Sequence, residues 1–287
     1  MKYNFLFLFA FLLSTGCQDY GNLQLVTSLP KSLKEVSGME VVVGSDLIWM
    51  INDSGNAPKI YGYDIAEKNI AKTISISNVS NIDWEDLASN QNGDLYIGDF
   101  GNNGNKRKDL AIYTVKNCAA IKGDEVSAII TTFYFKDQNQ FPPRKKNRNF
   151  DVEAFVSFNG FFYLFTRNRS SDFDGTTKLY KIPIKEGRFE AQLIDSFKTC
   201  DDERNCQITG ATLDHASGNI ALLSANKVWL LRGYSNDDVF GEKIEIIELH
   251  HSSHKESITF KNSNTLYIAD EQKRFSGGNI FELKIFN

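Results

Sequence analysis

The feature that most constrains this chain is a unit that recurs five times along it: a short polar or acidic pair, an apolar strand, a turn, a second apolar strand and a polar tip. The copies open at Ser37-Gly38-Met39-Glu40, Glu85-Asp86-Leu87-Ala88, Glu153-Ala154-Phe155-Val156, Thr209-Gly210-Ala211-Thr212 and Glu256-Ser257-Ile258-Thr259. Some 14 to 16 residues later each reaches a second polar group: Asp53, Asp99, Arg167, Ser224 and Asp270. Repeats of this length with short strands predict an all-β chain folded as a single β-propeller, one blade per copy. Five blades is the expected count. Successive openings lie 48, 68, 56 and 47 residues apart, so copies two and three carry insertions that leave room for a sixth, degenerate blade. The third strands are alike, each with an aromatic at one place (Tyr61, Tyr113, Tyr180, Trp229, Phe281), which suggests packing between adjacent blades. The last copy has no room for a full fourth strand after Ile285, whereas Gln24-Leu25-Val26-Thr27 alternates like an outer strand. N- and C-terminal strands are therefore expected to share one blade, which removes an open sheet edge.

Residues 1–16 are a different object, with Lys2 as a positive start, an apolar run from Phe5 to Leu13 and small residues before Cys17. This reads as a secretory signal, too short to span a bilayer permanently. Leu13-Ser14-Thr15-Gly16-Cys17 resembles a bacterial lipoprotein cleavage site, although Ser14 stands where the pattern has an apolar residue. The alternative is a plain signal peptide with a chance cysteine. On the first reading Cys17 is lipidated, residues 17–30 form a tether and closing strand, and residues 31–287 form the propeller in a bacterial cell envelope, facing the periplasm or the outer surface. In that oxidising compartment Cys200 and Cys206 are expected to form a disulfide, with Cys118 left over. A hydrophobic content of 41% excludes a disordered chain, and a net charge of −4 offers no global attraction for a nucleic-acid polymer, so none is expected as a partner.

In a blade meander, the loop entering the inner strand and the loop joining strands two and three lie on one face. Ser37, Glu85, Glu153, Thr209 and Glu256 should then encircle the channel mouth, with Asp53, Asp99, Arg167, Ser224 and Asp270 just outside. Carboxylates that face one another across a channel repel, and burying them unpaired costs several kcal/mol. Hard oxygen donors favour calcium, and magnesium less, over zinc. The bland alternative is that these residues only cap strand starts and bond to neighbouring blades.

The succession Glu35-Val36-Ser37-Gly38, Asp83-Trp84-Glu85, Asp151-Val152-Glu153, Thr209-Gly210 and Glu256-Ser257, each leading into an apolar strand, resembles the five-bladed calcium-activated nucleotidases, or apyrases. That resemblance implies a central calcium held by Ser37, Glu85, Glu153, Thr209 and Glu256, with Thr209 where the family has serine, and hydrolysis of nucleoside di- and triphosphates. Acidic propeller mouths also resemble those of calcium-dependent lactonases and phytase-like proteins.

Basic residues crowd the loops assigned to the same face, among them Arg107, Arg144, Arg148, Arg169 and Arg274. A basic rim around a metal-loaded centre suits a phosphorylated or otherwise anionic small molecule, since guanidinium forks bind oxyanions. Solvated charged loops are the competing reading. Two functions follow. A calcium-dependent hydrolase would have the metal polarise the scissile group, Asp99 or Asp270 orient a water, and Arg167 with the rim arginines stabilise charge. A non-catalytic propeller would keep calcium as a structural pin and bind a glycan, peptide or protein. His250, His251 and His254 read as surface-loop residues rather than acid–base groups.

Overall fold

The computed structural model describes residues 18–235, 237–241, 243–274 and 276–285; the expected signal 1–16 and lipidation residue Cys17 lie outside the described residues. Strand β1 (Gln24–Ser28) leads through a single 3-10 turn into a first meander, β2 (Val36–Val41), β3 (Ile48–Asn52), β4 (Lys59–Asp64) and β5 (Asn69–Ile76). A second meander is β6 (Trp84–Ser89), β7 (Leu95–Asp99), β8 (Leu110–Val115) and, after the short β9 (Glu125–Val126), β10 (Ile129–Phe135). The third comprises β11 (Asp151–Phe158), β12 (Phe161–Arg167), β13 (Thr176–Pro183) and β14 (Gly187–Lys198). The fourth comprises β15 (Gly210–Leu213), β16 (Ile220–Leu223), β17 (Lys227–Arg232) and β18 (Lys243–Glu248). The last, β19 (Lys255–Asn262), β20 (Thr265–Asp270) and β21 (Asn279–Lys284), takes β1 as its outer strand, with Gln24 opposite Glu282 and Ser28 opposite Asn279. The N-terminal strand thus completes the C-terminal sheet.

The inner strands β2, β6, β11, β15 and β19 each pack beside the next, and β19 returns to β2, so they surround one axis. This is a β-propeller. Its apolar side chains separate into cores that lie between successive meanders rather than within them. Trp49, Ile60, Trp84 and Tyr113 join the first to the second, and Tyr96, Phe155, Phe162 and Tyr180 the second to the third. Phe165, Trp229, Leu230 and Phe281 do the same farther round, as do Met39, Met50 and Tyr267 where the last meander meets the first. Four of the five third-strand aromatics are buried in these seams and Tyr61 is packed against one. The insertion in copy two contributes a departure from isolated blades: β9 pairs parallel with β5, and β10 pairs parallel with β14, so neighbouring outer edges merge into larger sheets.

At the axis the strands come close. A Cβ on Gly38 would stand 2.8 Å from the Leu87 nitrogen and 2.9 Å from the Asp86 carbonyl carbon, so only glycine lets β2 approach β6 this way. Asp86 is fully buried there. Its carboxylate accepts from the backbone amides of Leu87 at 2.9 Å, Phe155 at 3.1 Å and Ala211 at 3.3 Å, tying the second, third and fourth inner strands together. Further along the axis Glu40 accepts from Ser89 Oγ at 2.7 Å and Thr259 Oγ1 at 3.0 Å. Burial pushes its carboxyl from 4.5 up to about 7, against the pull of those hydroxyls.

Two outcomes test this axial arrangement. Asp86→Ala strands the Phe155 and Ala211 amides and should cost about 2–4 kcal/mol in urea unfolding. Because the folded-state value of Glu40 lies above its ordinary one, its contribution to stability is fully present below pH 4.5 and is lost as the pH rises through about 7. Glu40→Gln should therefore gain on the parent as pH rises across that window, by up to ~3 kcal/mol, in parallel melts from acid to pH 8.

Candidate metal and anion site at the axial mouth

The geometry that assembles the mouth is a repeated β-bulge. The strand register slips between Val36 and Gly38, Trp84 and Asp86, Val152 and Ala154, and Lys255 and Ser257, so Ser37, Glu85, Glu153 and Glu256 are each the extra residue of an inner strand. A bulge re-aims one side chain without moving the strand, and here it does so at equivalent positions. Thr209 has no bulge and sits just before β15, its amide bonded to the Leu223 carbonyl. The two hydroxyl members behave alike: Ser37 Oγ donates to Trp84 O and Thr209 Oγ1 to Lys255 O, both at 2.7 Å, stitching each inner strand to the next. All five ring residues are buried.

The ring is not electrostatically even. On one side Asp53, Asp83 and Glu85 bring three carboxylate oxygens within 4.8 Å of one another. Among the described residues none of the three has an ion-pair partner within 4.0 Å. Burial and then the charge of Glu153 push the Glu85 carboxyl well above its usual range, and burial with the Asp53 charge pushes Asp83 up to about 6. A Cβ on Gly101 would meet Glu85 Oε1 at 2.0 Å and Asp83 Cγ at 2.6 Å, so the missing side chain is what makes room for these carboxylates.

On the other side acids are matched by cations. Glu153 takes Arg167 Nη1 at 3.1 Å and Arg169 Nη2 at 2.6 Å, and Arg169 Nε reaches Asp151 at 2.5 Å. Burial alone would raise the Glu153 carboxyl, but the two guanidinium groups outweigh it and hold it below its ordinary value. Arg167 is fixed further by Gln207 Oε1 at 2.8 Å and lies 3.9 Å from Glu256. Glu256 faces His254 Nδ1 at 3.1 Å, and His254 in turn reaches Glu271 at 2.9 Å, with Lys273 on Glu271 at 2.6 Å.

Several expected roles change in this geometry. Asp99 and Asp270 are buried and bonded to the chain's own donors. Asp99 is fully buried, bonded to Arg107 at 2.8 Å, Tyr113 Oη at 2.9 Å and the Asp83 amide at 3.1 Å, so both its oxygens are committed to holding the loop before β6. Asp270 is 1% exposed and accepts from the Asn279 amide at 2.9 Å. Arg107, expected at the rim, is turned inward onto Asp99 and the Gly101 carbonyl, and Arg169 is turned onto Asp151 and Glu153. Arg144 and Arg274 are exposed, Arg148 is half-buried, and Ser224 is buried beside Lys227 O. His254 is exposed in a loop, as expected, and from there contacts Glu256 and Glu271. Asp83, Asp151, Glu271 and Gly101 were not expected as members; the Asp-x-Glu spacing shared by Asp83-Trp84-Glu85 and Asp151-Val152-Glu153 is the sequence signal that carries the first two. Cys200 and Cys206 are disulfide-bonded with Cα atoms 5.6 Å apart, and Cys118 is a buried free thiol.

An all-oxygen carboxylate trio of this spacing fits a hard divalent cation, calcium or magnesium, better than a nitrogen- and sulfur-seeking one. Glu153, expected as a direct ligand, is instead engaged by two guanidinium groups, whereas Glu256 belongs to a second cluster, with His254 and Glu271, whose ligand atoms also lie within 4.8 Å of one another.

No protein-family model and no curated protein sequence matches the chain. By fold it is similar to the PQQ-bound aldose sugar dehydrogenase of Streptomyces coelicolor, with TM-score 0.50 and 9% identity over 92% of this chain and 98% of that one. It is also similar to a gluconolactonase of Xanthomonas campestris (TM-score 0.48, 12% identity, 88% and 72% covered). A third is the calcium-binding protein regucalcin of Agrobacterium tumefaciens (TM-score 0.48, 13% identity, 92% and 93% covered). At such identities the likeness concerns the β-propeller fold.

Removing one guanidinium tests the charge balance. Arg169→Met leaves Asp151 and Glu153 buried beside each other with one cation fewer and should cost about 3–5 kcal/mol in thermal or urea unfolding, far more than the same change at exposed Arg144.

Proposed function

We propose that this protein is a five-bladed β-propeller, lipid-anchored in a bacterial envelope through Cys17, that binds calcium at its axial mouth and hydrolyses a phosphorylated or otherwise anionic small molecule there. The observation that carries the reading is the acidic trio of Asp53, Asp83 and Glu85, uncompensated by any ion pair among the described residues, facing a guanidinium-bearing wall across one mouth. The count of five rests on the five four-stranded meanders and the single circuit of their inner strands.

Asp53, Asp83 and Glu85 would hold the cation, with the Ser37 and Thr209 oxygens, whose protons are already donated to neighbouring carbonyls, free to accept at their remaining lone pairs. Bound calcium supplies charge neutralisation and polarisation of a ligand oxygen. The remaining work falls to this chain's own groups. Arg167 is held by Glu153 and Gln207 at a fixed place on the mouth wall, so it meets an incoming oxyanion pre-oriented, which is where electrostatic stabilisation is strongest. His254 is hydrogen-bonded through Nδ1 to Glu271, with Glu256 3.1 Å from the same nitrogen, so this cluster can hold or move a proton at the same mouth. The ligand's anionic class follows from the guanidinium beside a dication. The resemblance to apyrases adds nucleoside di- and triphosphates as first substrates.

A second reading has support of its own. Arg107 and Arg169 are engaged in internal pairs, as a mouth built for rigidity would require. In that case the propeller binds a glycan, peptide or protein and calcium only pins its blades.

Thermal melts in EDTA and in calcium, with phosphate release followed on nucleoside di- and triphosphates, separate the two. Calcium at a hundredfold excess over its dissociation constant should stabilise the parent by about 2.7 kcal/mol and leave Glu85→Gln nearly unmoved. Calcium-dependent phosphate release lost in Glu85→Gln supports the hydrolase. Stabilisation without turnover favours the binding module, and turnover unaffected by EDTA contradicts both.

A further inference from the structure

The described chain begins hard against the propeller. Gly21 packs where a Cβ would lie 2.3 Å from the Leu249 carbonyl oxygen, Asn22 N donates to that carbonyl at 2.8 Å, and Asn22 Nδ2 donates to Glu248 O at 2.7 Å. Tyr20 packs edge-on against His251 and tilted against Phe281, with ring centroids 5.5 and 5.2 Å away, and Leu23 is 6% exposed in the seam between the fourth and last meanders. The residues after Cys17 are therefore no flexible leash, which would let a tethered domain tumble freely. They also arrive at one particular place. Gln18 and Tyr20 line the same cleft as His254, Glu271 and Lys273, the loops that form the axial mouth.

The opposite side of that face carries a different kind of feature. The loop before β11 presents Arg144, Lys145 and Lys146, all exposed, beside exposed Lys106 and Lys108. Phe141 stands among them, 37% exposed, with Lys108 Nζ 4.6 Å from its ring centroid, and Ile82 on the same face is 46% exposed. An aromatic tip beside lysine and arginine suits the headgroup layer of an anionic bilayer, where basic residues are drawn to the surface and an apolar side chain can enter the interface.

We infer that the mouth face lies against the membrane, fixed at one edge by the acyl chains on Cys17 and at the other by the Phe141 and Arg144–Lys146 loop. This inference rests on the lipid-anchor reading above and extends it. A lipid anchor whose attachment is packed on the propeller restricts how the domain can turn, and a second, basic contact adds to the strength of membrane binding. The metal and Arg167 then open toward the headgroup layer. The ligand class that this placement selects is an anionic group presented at the bilayer surface.

The test uses the full chain purified from a bacterial host and reconstituted into vesicles of phosphatidylethanolamine and phosphatidylglycerol. Single labelling sites are placed on the mouth face, Lys146→Cys, and on the far face in the turn between β6 and β7, Asn92→Cys; both parent residues are exposed and the native thiol Cys118 is buried. The mass of the N-terminal peptide reports acylation, and labelling by a polymer-linked maleimide is timed in vesicles and again in detergent. Acylated chain with Lys146→Cys slowed several-fold in vesicles, recovering in detergent, and Asn92→Cys equally fast in both supports the orientation. Acylated chain in which the two sites react alike, or in which Asn92→Cys is the protected one, overturns the orientation while leaving the anchor intact. Unacylated chain overturns the anchor and the inference with it, but says nothing against calcium at the mouth.

Discussion

Convergence of like charges on one axis is the constraint from which the other features of this propeller follow. Inner strands that circle a channel must point their first side chains into one small volume, and here that volume receives Glu85, Glu153 and Glu256 from the bulges, Asp151 from the start of β11, and Asp53 and Asp83 from the adjoining loops. In a site with little water these charges cannot coexist uncompensated. The chain resolves part of the conflict internally: Arg167 and Arg169 neutralise Glu153 and Asp151, Lys273 pairs with Glu271, and burial pushes the Glu256 carboxyl up to about 7 beside His254. What remains is the trio around Glu85, left open by the absence of a side chain on Gly101. A divalent cation is the simplest partner for it.

The same constraint explains why the channel below the mouth is polar as well. Inner strands have no partner on the axial side, so some of their amides need an acceptor that is not a strand. Asp86 supplies one to Phe155 and Ala211, and Glu40 gathers the hydroxyls of Ser89 and Thr259. Both carboxyls bear the cost of burial, visible in the rise of Glu40 to about 7. The axis is thus filled by acids joined to strand edges, and the apolar packing that stabilises the fold is displaced outward into the seams between meanders.

Much of this was legible in the sequence. Repeat spacing, third-strand aromatics and the alternation of Gln24-Leu25-Val26-Thr27 gave the all-β propeller and its closure by β1, because these depend on side-chain period and strand length. The ring positions Ser37, Glu85, Glu153, Thr209 and Glu256 were legible too, since a repeated polar residue before an apolar strand marks a strand mouth. What the pattern could not carry was the partner of each charge. Asp99 and Arg107 are eight residues apart and pair with each other across one turn, which removes both from the rim, and nothing in their types distinguishes that from two ligand-facing groups. Likewise Glu153 is equivalent to Glu85 by repeat position, yet two arginines, Arg167 at the end of β12 and Arg169 in the loop after it, separate their chemistry. The parallel pairings of β9 and β10 were hidden because insertions carry no repeat signal.

Diffraction from crystals grown with a lanthanide in place of calcium, recorded at the lanthanide absorption edge, tests the central claim most directly. An anomalous peak bounded by the carboxylates of Asp53, Asp83 and Glu85, absent from Glu85→Gln crystals grown alike, is the predicted result. A mouth without a peak at saturating lanthanide, with the trio closed by protons or by a lysine or arginine drawn in, would contradict it.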